Sequence, residues 1–163
     1  MTEPEPTASP AARAPRARSR PTPGARRATV IGAGSFGTAL AVLLARGGLR
    51  TTLQTRTPEQ AASLDSERRN AVYLPGVELP AQLRIEAAAA GVERADYVFL
   101  AVPSRGLAEV IATLGSSGLG ERAAVVSVAK GLVAPDGLPP TVVLSATFGA
   151  ARVACVGGPA HAQ

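Results

Sequence analysis

The chain has 163 residues, is 46 % hydrophobic and 18 % charged, and carries a formal net charge of +5. That length suits a single domain, and without an uninterrupted apolar run of about 18 residues no transmembrane helix is expected. Cys155 has no second cysteine for an internal disulfide, and His161, the lone histidine, has no His or Cys partner, so no metal site is expected.

Residues 1–27 hold six arginines against Glu3 and Glu5, a local charge of +4. The remainder, 28–163, is close to neutral at +1. The first segment is rich in Pro, Ala, Arg, Ser and Thr and has no Val, Ile, Leu or aromatic residue. It has nothing to bury against the entropy of ordering, so a disordered tail is expected there. Three roles stay open for it: an inert extension or misassigned start, a targeting segment, or a polyanion contact. It has no apolar stretch of the secretory kind, and its six prolines speak against an amphipathic transit helix. No aromatics interleave with its arginines, so no nucleic-acid partner is expected.

Ala28-Thr29-Val30-Ile31 is a short apolar run ended by Gly32 and predicts a buried parallel strand. Residues 35–46 predict a helix, with Phe36, Leu40, Leu43 and Leu44 spaced as its core face and Gly47-Gly48 as its stop. Thr51 to Thr55 predicts the second strand. Thr57 then caps a polar helix that has Pro58 at its first position and runs to about Arg69. Tyr73-Leu74-Pro75-Gly76 reads as a loop, Leu83 to Ile85 as a weak strand, and the alanines before Asp96 as a helix. Tyr97 to Val102 is the strongest strand signal, and Pro103 ends it. Ser104 is placed to cap the next helix, whose stripe is Leu107, Val110, Ile111 and Leu114. Ala123 to Val128 predicts another strand. Residues 139–148 follow two prolines and suit a helix, but are β-branched enough to suit a strand too. Val153 to Val156 predicts a last strand, in which Cys155 is expected to be a buried small hydrophobe. Strands alternating with helices imply an α/β fold, a doubly wound and mostly parallel sheet.

Gly32-Ala33-Gly34-Ser35-Phe36-Gly37 is a G-x-G-x-x-G that follows a predicted strand and opens a predicted helix. That context turns a weak motif into a Rossmann-type dinucleotide site. Gly32 would make the tight turn, Gly34 would let the backbone approach a pyrophosphate, and Gly37 would let the helix pack close to the strand. Backbone N–H groups at the helix start would hold the phosphates. An NAD site would carry an acid at the end of the second strand for the ribose hydroxyl. Gln54-Thr55-Arg56 stands there instead, with no acid before Glu59. Arg56 would attract a 2′-phosphate, which favours NADP or tolerance of both cofactors.

The chain has sixteen arginines and one lysine, Lys130. It lies just past a predicted strand end, where open α/β sheets bind ligands. A compact ammonium there suits a phosphate or substrate oxygen. Ser104, Gly158 and Ala162 also lie beyond predicted strand ends, so one edge of the sheet collects the candidates.

Five segments together resemble the bacterial NAD(P)-dependent glycerol-3-phosphate dehydrogenases. They are Ile31 to Ala41, Asn70-x-x-Tyr73-Leu74-Pro75-Gly76-x-x-Leu79-Pro80, Ala101-Val102-Pro103-Ser104, Lys130-Gly131, and Gly158-Pro159-x-His161-Ala162. The resemblance implies reduction of dihydroxyacetone phosphate to sn-glycerol 3-phosphate, for phospholipid synthesis in the cytoplasm. It implies that Ser35, Phe36, Arg56 and Ala162 contact the dinucleotide, that Lys130 touches cofactor and substrate, and that Gly158 and Ala160 border the substrate. Phe36 stands where Trp or Tyr is frequent. Ala160 stands where many members carry a hydroxyl, so one substrate contact would be lost.

Family members continue into a helical second domain that supplies the lysine assigned to proton transfer. This chain ends at Gln163, and its own acid–base candidates for that role are Lys130 and His161. The expectation is therefore a cofactor-binding portion, truncated at its C-terminal end, that binds a dinucleotide and does not turn over alone. The complete protein would take a small phosphorylated substrate, without membrane insertion, and could form a homodimer. Two other readings stay open: a different hydroxyacid or ketopantoate-type dehydrogenase on the same fold, and a non-catalytic NAD(P)-sensing module.

Overall fold

The computed structural model describes residues 24–87 and 92–157. Most of the tail, residues 1–23, lies outside these, as does much of the alanine-rich segment read as a helix. Among the described residues, eight strands and four helices follow in order: β1 (Arg27–Ile31), α1 (Ser35–Arg46), β2 (Arg50–Thr55), α2 (Pro58–Glu67), β3 (Arg69–Asn70), β4 (Leu74–Glu78), β5 (Arg84–Ala87), β6 (Tyr97–Leu100), α3 (Ser104–Ser116), β7 (Ala124–Ser127), α4 (Pro140–Phe148) and β8 (Val153–Cys155). A short 3-10 turn, Ala150–Arg152, precedes β8. The expected α/β class holds. Six strands form one sheet in the order β5-β2-β1-β6-β7-β8, with every neighbouring pair parallel. Order reverses beside β1, between β2 and β6, which makes their C-terminal ends the switch point where such sheets bind ligands.

Each sheet face has its own core. Val30, Leu53, Ile85 and Phe99 share one face through their register and pack with Ala41, Val42, Ala45 and Leu64. Ile31, Val98, Leu100, Val125 and Val153 share the other and pack with Leu107, Ile111, Leu114 and Leu144. Leu53, Leu100, Leu107 and Leu144 are fully buried, and each such side chain stabilises the fold by about 2 kcal/mol. The stripe expected on the helix after Pro103 is therefore correct, and residues 139–148 resolve as a helix.

Four local readings differ. The first helix does not bury the stripe Phe36, Leu40, Leu43, Leu44. Phe36 is 54 % exposed and Leu43 65 %, and the buried residues are Gly37, Thr38, Ala41, Val42 and Ala45. The sheet sits too close for large side chains, so small ones face it and Leu40 and Leu44 fill the flanks. The segment around Leu74-Pro75-Gly76 is not a loop but β4, which pairs antiparallel with β3. Ser104 does not cap α3; it is the first helical residue, and the N-cap position is the extended Pro103. Cys155 is exposed; among the described residues its strand, β8, pairs on one side, with β7.

The tail boundary also moves. β1 begins at Arg27, whose backbone N–H donates to Asp96 Oδ2 at 2.7 Å. Arg26 donates to the Tyr97 hydroxyl and lies over that ring.

The Thr57 cap forms as expected: its hydroxyl accepts from the Gln60 N–H at 3.2 Å. Beside it, hydrogen bonds from its own backbone and from Thr57 hold the Glu59 carboxyl below the usual carboxylate range. A lowered folded pKa means support that is present above the unfolded pKa and is lost as pH falls through the folded one. We expect Glu59→Gln to lower the melting temperature slightly at neutral pH, with the difference vanishing in acid. Melting curves across that range check it, and a pH-independent difference would contradict it.

Candidate functional site

The Gly-rich turn joins β1 to α1 at the switch point. Gly32 has φ +109, and a Cβ there would lie 2.5 Å from the Ala101 carbonyl oxygen. A Cβ on Gly37 would lie 1.9 Å from the Gly32 oxygen and 3.0 Å from Ala101 Cβ. Turn, helix and the residues after β6 are thus in direct contact, with Ala101 and Val102 as the floor of the turn. A Cβ on Gly34 would meet nothing within 4 Å. Gly34 caps α1 without any side-chain hydrogen bond, so the first amides of the helix lack an internal acceptor. An open glycine over an uncapped helix start, Ser35 and Phe36 included, fits a bridging diphosphate.

Arg56 is exposed just beyond the end of β2. Its backbone N–H donates to Gln60 Oε1 at 3.3 Å, and its guanidinium pairs with no carboxylate among the described residues. Lys130 is exposed, three residues beyond β7. A Cβ on the following Gly131 would stand 3.8 Å from the Ser104 hydroxyl oxygen. The structure therefore brings Lys130-Gly131 beside Ser104 at the same sheet edge as the glycine turn. Gly158, Ala160, His161 and Ala162 lie outside the described residues. Among the described residues no three His, Cys, Asp or Glu side chains gather as a metal-holding group, and no helix is long and apolar enough to cross a membrane.

Two features of the site are not evident from the motif. One is Ala101, the floor beneath Gly32 and Gly37. The other is Asn70, 3 % exposed, which reaches from β3 to the turn. Its Nδ2 donates to the Ala33 carbonyl at 3.0 Å and to Thr38 Oγ1 at 2.8 Å, and its Oδ1 accepts from the Tyr73 N–H at 3.4 Å.

Residues 27–163 match the family model described as the NAD-dependent glycerol-3-phosphate dehydrogenase N-terminus. Among curated relatives, the glycerol-3-phosphate dehydrogenase [NAD(P)+] of Deinococcus radiodurans is 44 % identical over 135 residues, covering 82 % of this chain and 39 % of the relative. The protein of the same description from Chlorobium phaeobacteroides is 40 % identical over 139 residues, covering 83 % and 41 %. The crystal structure of glycerol-3-phosphate dehydrogenase from Coxiella burnetii superposes with a TM-score of 0.75 at 27 % identity, covering 85 % of this chain and 42 % of that one. The chain thus spans about two fifths of the length of the relatives it matches. From its glycine turn to its sheet order, the chain belongs to the NAD-dependent glycerol-3-phosphate dehydrogenase family, within that family's N-terminal domain.

Proposed function

We propose that this chain is the cofactor-binding part of an oxidoreductase that reduces dihydroxyacetone phosphate to sn-glycerol 3-phosphate with NAD(P)H, in the cytoplasm, for phospholipid synthesis. The observation that carries the reading is the turn itself: Gly34 open to solvent over an uncapped helix start, at the point where strand order reverses. Family membership supports the substrate; the sheet alone would suit several dehydrogenases.

When bound, the dinucleotide supplies the hydride. The amides of Gly34 to Phe36 hold its diphosphate, and exposed Phe36 covers the turn from one side. Arg56 meets a 2′-phosphate, so NADPH is preferred or accepted beside NADH. Lys130 gives a positive charge to the substrate phosphate or ketone oxygen, next to Ser104. Gly158 and Ala160 border the substrate and Ala162 the cofactor. The proton would come from the part of the relatives that lies outside the matched residues. The whole protein works without nucleic acid or membrane insertion, as a homodimer.

Calorimetric titration tests the cofactor reading. The chain should bind NADPH, and Arg56→Ala should weaken it about tenfold, the worth of one charge-assisted contact at an exposed site. NADH affinity should change little. Equal NADPH affinity in both proteins removes Arg56 from the site. No heat with either nucleotide, from a chain shown folded by circular dichroism, overturns the proposal.

A further inference from the structure

Asn70 does more than brace a hairpin. Both of its N–H bonds are committed: one to the Ala33 carbonyl inside the glycine turn, the other to Thr38 Oγ1 in the first turn of α1. Thr38 is itself fully buried, and its backbone N–H donates to the Gly34 carbonyl at 2.9 Å. Two carbonyls of the turn, those of Ala33 and Gly34, are therefore tied to protein donors. Among the described residues the one cis peptide is Ala134–Pro135, so the Ala33–Gly34 bond is trans. In a trans peptide the N–H points opposite to the C=O. Fixing the Ala33 carbonyl toward Asn70 thus aims the Gly34 N–H the other way, while the Gly34–Thr38 bond does the same for Ser35.

We propose that Asn70 is a positioning residue for the pyrophosphate: by holding the Ala33 carbonyl it orients the Gly34 amide as a phosphate donor. The proposal rests on the dinucleotide reading of the turn. It also gives the β3–β4 pair a task, since Arg69 and Asn70 form its first strand and that strand delivers the carboxamide. Donors fixed before the ligand arrives cost nothing to orient on binding. A wrong side chain at position 70 frees the turn to rotate, or, with a carboxylate, sets an acceptor against the Ala33 oxygen and a negative charge near the phosphates.

The test is calorimetry with NADH and with ADP-ribose, which keeps the pyrophosphate and lacks nicotinamide. Asn70→Ala should weaken both by about tenfold or more, and Asn70→Asp further. A folded Asn70→Ala that binds both ligands like wild type overturns the proposal while leaving the dinucleotide site standing. A wild-type chain that binds neither ligand sinks the dinucleotide reading first, and the proposal with it. Should Asn70→Ala fail to fold, the wild-type amide spectrum decides. The Gly34 amide proton should move downfield on adding ADP-ribose, and a Gly34 resonance that stays put while the ligand binds overturns the assignment.

Discussion

Gly37→Ala should destabilise the fold by about 3 kcal/mol, the upper end for overpacking, and abolish measurable binding of NADH and NADPH. A methyl group at residue 37 would stand 1.9 Å from the Gly32 carbonyl oxygen and 3.0 Å from Ala101 Cβ. Neither neighbour is the end of a flexible side chain. The Gly32 oxygen is backbone, in a turn whose φ of +109 leaves little latitude. The Gly32 N–H is itself committed, donating to the Gln54 carbonyl at 3.0 Å. Relief must come from α1 moving off the sheet, which opens the contact between Ala41, Ala45 and the strands and displaces the amides of the turn. Urea denaturation reads the first effect and calorimetry the second. A variant with the wild-type midpoint and wild-type nucleotide affinity would show that helix and turn do not touch.

Arg68→Ala is expected to cost about 2–3 kcal/mol, from the loss of charged hydrogen bonds at a partly screened site. Arg68 is the C-cap of α2, in the left-handed region at φ 48. Its Nη2 donates to the Leu83 carbonyl at 2.9 Å and to the Pro80 carbonyl, while Nη1 meets Asp65 Oδ1 at 2.7 Å. One guanidinium thus joins the end of α2 to the segment that leads into β5. Alanine takes the guanidinium donor from the Leu83 carbonyl, leaves the Pro80 carbonyl with only the Leu83 N–H, and keeps the strained backbone. Arg68→Gly should recover about 0.5–1 kcal/mol of that loss, since glycine adopts positive φ freely. Urea midpoints of the two variants give the comparison. An unchanged midpoint in Arg68→Ala would mean that the segment before β5 is held some other way.

Much of this could be read from residues alone, and the failures share a cause. The bounds of α1 were legible because glycines mark both ends, at Gly34 and Gly47. Its buried face was not. Periodicity ranks residues by apolarity, so Phe36 and Leu43 outrank Gly37 and Ala41, yet the distance between helix and sheet selects for smallness. The β3–β4 pair hid behind Pro75 and Gly76, which read as loop punctuation but are tolerated in a two-stranded ribbon, all of it edge. Cys155 looked like core because its neighbours are apolar; in β8 only Val153 packs inward, and Ala154, Cys155 and Val156 are exposed. The glycine turn, Arg56 and Lys130 were legible as candidates because each sits at a strand end. Asn70 was visible only as part of a resemblance. Its work lies in a contact across 37 residues of sequence, and no local pattern encodes that.

The strand order also sets what each pairing of β1 costs in chain entropy. β1 sits between β2 and β6, so Ala28 must find both Thr51 and Tyr97. The second search closes a loop roughly three times longer, which adds about 1 kcal/mol of closure entropy. Pairing β1 with β2 is therefore the less costly closure. The glycine turn lies at the seam between β2, β1 and β6, so the candidate crevice is complete only when the costlier pairing is made.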